Sequence, residues 1–291
     1  MDPTPLPPDD PRAAARARFA ALVGGPDDEP PLAETALVIA LEEYPDLEVR
    51  AYLARLHAFT SVLADRVAQA AAERTEGFLP VAERIAILNQ YVFGELGFRG
   101  NREAYYDPRN SLLNDVIDRR LGIPLTLSVV YMELARGAGL RLAGVGFPGH
   151  FLVKTQAVHP PRLLDPFAGG LEVGPAEVEE RLRGHDTPAA EALRRVDNRF
   201  IVRRLLTNLK MVYLRQADPE RAWRAAGRVL LLAPDAPAEL IEYGALCGRV
   251  GRYAEGVAAL ERGVAPLPPG PERAAAETEL AQQRHWLSRL N

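Results

Sequence analysis

Apolar positions follow a helical period towards both ends of this chain and a shorter, turn-punctuated pattern between them. From Leu32 to Leu96, three groups recur at helical spacing: Leu37, Ile39 and Leu41, then Val49, Leu53, Leu56 and Leu63, then Ile85, Leu88, Val92 and Leu96. They predict helices near 33–43, 46–73 and 80–96, with Tyr44-Pro45-Asp46 breaking the first from the second. Residues 97–114, rich in Gly, Asn, Asp and Pro, predict a long loop that either packs specifically or serves a site. Ser111 is placed to cap a helix over 112–120, with Arg119 and Arg120 complementing its C-terminal dipole and Gly122 stopping it.

The stretch from Gly122 to Phe167 organises the rest. Pro124 suits the first turn of a helix running to about residue 138. Leu125, Leu127, Val129, Val130, Tyr131 and Leu134 leave that helix no polar face, so it belongs at the centre of a core. Short strands follow at about 141–147, 150–156 and 162–166, their brief connections predicting antiparallel pairing. His150 opens the second strand and Asp165 closes the third.

After a short helix and polar linker over 174–188, helix pairs take over. Pro234 and Pro268 are spaced at the period of a tetratricopeptide repeat. Leu206, Leu209, Tyr213, Ala222 and Ala226 form one unit, and Leu240, Tyr243, Gly244, Gly256 and Leu260 a second, with a capping helix over about 272–290. Ala222 and Gly256 fall where paired helices approach closely. The fold class is therefore α+β followed by all-α. The expected domains are a mobile leader over 1–30, in which Arg12 to Leu22 is compatible with a short helix, an α+β domain over 31–190 and a repeat domain over 191–291.

Composition narrows the function. The net charge of −4 gives no basic field for nucleic acid or anionic lipid, so neither is expected as a partner. The longest apolar run, about Ile123 to Met132, is shorter than a membrane span. The first residues, MDPTPLPPDD, lack the basic and apolar regions of a signal peptide, and a soluble cytoplasmic protein is the expectation. The one cysteine, Cys247, excludes an intramolecular disulfide and a cysteine-cluster zinc site. His150, His159, Asp165 and His185 have no compact ligand spacing, so no metal or cofactor is expected.

The run YYDPRNSLLNDVIDRRLGIPLTLSVVYMELARGAGLRLAGVGFPGHFLVK, continued by LLDPFAGG, resembles the SirB family. That family joins a transglutaminase-like (papain-like) domain to tetratricopeptide repeats. LAETALVIALEEYPDLEV is similar to its opening helices, and the resemblance covers about residues 30 to 290. Catalytic members of the superfamily carry a cysteine in the first turn of the central helix, where the helix N-terminus favours the thiolate. A histidine exchanges its proton and an Asp or Asn orients that histidine. The resemblance places these last two roles on His150 and Asp165. The cysteine position falls on or beside Pro124, which has no proton to give. Thr126 and Ser128 are the nearest hydroxyls. Asn110, Asn114, Pro124, Thr126 and Ser128 are the candidates to line a cleft beside His150.

Three functions follow from this pattern. The first is a non-catalytic protein that binds a protein or peptide through its repeat domain, with His150 and Asp165 as the remnant of a catalytic pair. The second is an amide or isopeptide hydrolase or transferase using a non-cysteine nucleophile or a water activated by His150. The third is a small-molecule sensor using the former cleft. A hydroxyl bonded to His150 would favour the second.

Overall fold

The computed structural model describes residues 11–25 and 29–290. These fall into two compact units, one of residues 29–202 and one formed by the N-terminal segment together with residues 203–290.

The first unit opens with α2 (Leu32–Ala40), α3 (Val49–Ala72) and α4 (Val81–Asn89), α1 (Pro11–Val23) belonging to the other unit. The Tyr44-Pro45-Asp46 break is longer than expected, so α3 starts at Val49. α4 continues into one π-helical turn, Gln90–Glu95. A two-residue strand, β1 (Arg99–Gly100), pairs in parallel with β2 (Leu121–Gly122). Between them lies α5 (Leu113–Arg119). Its N-cap is Leu112 without a side-chain cap, so Ser111 does not cap it. It is Arg120, at φ 60°, that ends the helix in the left-handed conformation, two residues before the expected stop at Gly122.

The central helix α6 (Pro124–Ala135) is buried as its pattern demands: Tyr131 and Leu134 are inaccessible and Leu125 is 3% exposed. Around it runs a five-stranded antiparallel sheet in the order β6-β5-β4-β3-β7. The strands are β3 (Leu142–Val145), β4 (Leu152–Thr155), β5 (Leu163–Asp165), β6 (Leu171–Glu172) and β7 (Arg195–Val196). β6 and β7 are too short to leave a periodic trace, which is why only three strands are expected from sequence. His150 sits in the turn before β4 instead of opening that strand, its N–H bonded to the Phe147 carbonyl at 3.0 Å. The short helices α7 (Pro175–Arg181) and α8 (Ala189–Ala192) carry Val178, Leu182 and Ala192 onto Val145, Phe147 and Leu152.

The second unit is helical. α9 (Asn198–Arg215), within which the boundary falls, is followed by α10 (Pro219–Leu232), α11 (Pro237–Arg249), α12 (Tyr253–Val264) and α13 (Pro271–Leu290). Proline at the first position of α10, α11 and α13 presets each helix start. Small residues permit the close helix contacts. A Cβ on Gly244 would meet Leu260 Cγ at 2.6 Å, and one on Gly256 would meet Gln283 Oε1 at 1.9 Å.

The segment expected to be a mobile leader contains α1 (Pro11–Val23), which packs on α10. Phe19 is fully buried there and Ala15 and Val23 nearly so. Burying these apolar groups orders a stretch whose Pro-rich, acidic flanks read as unstructured. Residues 1–10 and 26–28 of the expected leader lie outside the described residues. Among the described residues no helix is long and apolar enough to cross a membrane.

Candidate functional site

His150 and Asp165 come together from the two neighbouring strand ends. His150 Nε2 lies 2.9 Å from Asp165 Oδ2. Asp165 is 2% exposed, while the His150 side chain is 20% exposed. The carboxylate is anchored on every side. Its Oδ1 accepts from the backbone N–H groups of Phe167 (3.0 Å) and Ala168 (3.3 Å), capping the short turn that Pro166 begins. Its Oδ2 also accepts from both terminal nitrogens of Arg181, each at 3.3 Å. Burial opposes ionisation of Asp165, but His150 and Arg181 outweigh it and hold the carboxyl below its ordinary value. The bond through Nε2 leaves Nδ1 as the nitrogen for any proton exchange.

The helix start offers that nitrogen no nucleophile. Pro124 is the first residue of α6 and is buried. Thr126 donates its single hydroxyl proton to the Asn110 carbonyl at 2.7 Å and accepts from the Ile123 N–H at 3.1 Å. It therefore ties the loop to the helix start, and no proton remains for His150. Ser128 is inaccessible and its hydroxyl has no hydrogen-bond partner among the described residues, so it is not bonded to His150 either. Cys247 belongs to the other unit. It is fully buried on α11, and burial pushes its thiol up to about 12.

The five residues expected to line a cleft are packed inside the protein. Asn110 is inaccessible and Asn114 is 4% exposed. Asn110 braces the long loop, donating to the carbonyls of Ala104 (2.7 Å) and Tyr105 (3.2 Å) and accepting from Asn101 Nδ2 (3.0 Å). Asn114 instead lines a cavity walled by Tyr44, Asp115 and Asp118. Polar side chains in a Gly- and Asn-rich loop satisfy buried backbone groups before they serve a surface.

The actual surroundings of His150 include residues that the sequence reading passed over. Phe167 stands edge-on to the imidazole with ring centroids 6.0 Å apart, and Tyr105 stands edge-on to Phe167 at 6.3 Å. The Arg102 guanidinium lies 5.0 Å from the Phe167 centroid. Phe167 was within sight, since it belongs to the DPFAGG run. Arg181 left no local signal, because it reaches Asp165 from a helix packed against the sheet only in the folded chain. Chemically the arrangement is a base oriented by a carboxylate, with an aromatic and cationic flank.

A profile described as the transglutaminase-like superfamily matches residues 51–207, a span that contains His150, Asp165 and α6. A UPF0162 protein of Xylella fastidiosa (strain 9a5c) is 40% identical over 226 residues, covering 75% of this chain and 78% of its own length. A UPF0162 protein of Vibrio cholerae is 36% identical over 157 residues, 52% of this chain and 58% of its own. Human F-box only protein 21 is 31% identical over 130 residues, which is 42% of this chain and 20% of that protein.

Proposed function

Since the chain belongs to the transglutaminase-like superfamily, with UPF0162 proteins as its relatives, we propose that it is a non-catalytic binding protein of the cytoplasm. In this reading a degenerate transglutaminase-like domain is joined to tetratricopeptide-type helix pairs that take a protein or peptide partner. One observation carries the loss of catalysis. His150 keeps its orienting Asp165, yet the hydroxyls at the helix start are bonded elsewhere or to nothing. A base without a nucleophile cannot begin covalent acyl transfer.

The helical unit supports the binding half of the reading. Residues of α9, α11 and α13 wall a groove of about 470 Å³, with Leu214, Ala245 and Leu246 on its apolar side and Arg249 beside them. Tyr253 and Trp286 stack across it at 6.3 Å, and Trp286 is 49% exposed. Exposed aromatic and arginine side chains in a groove are the groups that anchor peptide partners. The spacing of Pro234 and Pro268, one after each helix pair, supports the repeat assignment.

The test is selection from a random peptide library on the immobilised full-length protein. Enriched peptides should bind Trp286→Ala and Arg249→Glu at least about tenfold more weakly and His150→Ala equally well. Mass spectrometry of the same peptides after incubation should show them intact. Cleavage or transamidation that disappears in His150→Ala would replace this reading with the enzyme.

A further inference from the structure

The groove walled by α9, α11 and α13 carries enough chemistry to say what kind of chain it takes. Its apolar surface does not stop at the cavity. Met211 stands one turn before Leu214 on the same face of α9 and is 46% exposed. Leu290 stands one turn after Trp286 on α13 and is 69% exposed. Exposed apolar groups gathered on two walls of one groove mark a contact surface.

The charges around it give the sign of the partner. Glu242, on the groove wall, is paired with Lys210 Nζ at 2.5 Å. Glu279 accepts from Gln283 Nε2 at 2.7 Å and keeps its charge. Arg249 makes no hydrogen bond or ion pair among the described residues. Arg289 lies 5.6 Å from the Trp286 ring centroid and likewise has no acid partner among them. Two guanidinium groups without counter-charge against one such acid leave the surface positive, and its complement is an acidic partner.

The walls also favour a helical partner over an extended one. They are helices, whose backbone groups are bonded internally, so no strand edge is available to pair with an extended backbone. A partner helix satisfies its own backbone and meets the walls with side chains alone. Apolar positions three or four residues apart, Met211 with Leu214 and Trp286 with Leu290, have the spacing that receives the ridges of a packed helix. Ala245 and Gly248, one turn apart on α11, keep the floor of the groove low. We propose that this groove takes an acidic amphipathic helix of a partner protein. Its apolar stripe lies on Leu214, Leu246 and Trp286, and its acids face Arg249 and Arg289. This names the partner class within the binding reading of the same groove and rests on that reading.

The probe is a fluorescein-labelled peptide, EELAQLLAQFLAEE, titrated into the full-length protein at about 0.15 M salt, where weak surface attraction is screened. Saturable binding by fluorescence anisotropy is expected. Lysine in place of every glutamate, or proline in place of the middle alanine, should weaken the peptide at least about tenfold. Arg249→Glu should weaken it by the same factor. Arg289→Glu and Met211→Ser should each weaken it at least about threefold, because a helix that spans the groove reaches both. All three side chains are exposed, so these variants keep the fold. The lysine peptide binding as tightly would remove the need for acid, and the proline peptide binding as tightly would make the occupant extended. Binding unchanged in Arg289→Glu and Met211→Ser would confine the contact to the cavity or place it elsewhere. Each of these results overturns the proposal. If the glutamate peptide is silent while library-selected peptides bind through Trp286, the acidic helix is wrong and the binding reading stands. If neither binds, both fall.

Discussion

Asp165 Oδ2 is shared between His150, at 2.9 Å, and Arg181, at 3.3 Å. One buried carboxylate thus fixes an imidazole on the strand side and a guanidinium on the helix side, while its other oxygen caps the turn at Phe167 and Ala168. A carboxylate with so many donors is a structural keystone whatever the imidazole does.

The pH dependence of stability follows from that sharing. The carboxyl of Asp165 titrates lower in the folded chain than in the unfolded one. Its stabilisation is therefore fully present above the unfolded value of about 3.9 and is lost as pH falls through the folded value. Asp165→Asn should destabilise by about 2–4 kcal/mol at neutral pH, because it leaves Arg181 and the turn N–H groups poorly matched. Urea unfolding across pH 2 to 7 checks this: the gap between wild type and variant should narrow towards the acid end. A constant gap would show that the charge of Asp165 contributes nothing.

The two hydroxyls of α6 should respond in opposite ways. Thr126→Val removes a bond to the Asn110 carbonyl and one from the Ile123 N–H, at a cost of about 1–3 kcal/mol. Ser128→Ala removes a buried hydroxyl that has no partner among the described residues, so stability should stay within about 0.5 kcal/mol or rise. Thermal melts of the two variants decide it, and a Ser128→Ala variant as damaged as Thr126→Val would reveal a partner for Ser128.

Gly256 should tolerate no side chain. A Cβ there would lie 1.9 Å from Gln283 Oε1 and 2.9 Å from Cys247 Cβ. Gly256→Leu should lower stability by about 1–3 kcal/mol through overpacking between α12 and its neighbours. Differential scanning calorimetry measures the loss.

Cys247 should be chemically quiet. Iodoacetamide should label the native protein slowly and the denatured protein fast, because the buried thiol titrates at about 12. Cys247→Ala should cost about 1 kcal/mol of packing and leave peptide binding unchanged. Rapid native labelling that vanishes in His150→Ala would revive a cysteine enzyme.

Much of this protein is written in periodicity. The all-apolar run from Leu125 to Leu134 determines a central buried helix without help from distant residues. The Tyr44-Pro45 break, the turns around β4 and the five C-terminal helices come from local backbone chemistry, and local chemistry is what a linear reading sees. The pairing of His150 with Asp165 came from the resemblance to the transglutaminase-like family and not from periodicity. Tertiary structure decided the rest, because those features depend on residues far apart in the chain. Two-residue strands such as β6 and β7 exist only because a neighbour supplies their hydrogen bonds. Arg181 becomes a partner of Asp165 only after α7 docks on the sheet, and α1 is ordered only by burying Phe19 against the C-terminal helices. Asn110, Thr126 and Ser128 are polar letters that suggest a cleft. Whether a polar side chain faces solvent or satisfies a buried backbone is set by the packing around it, and here the packing closed over them.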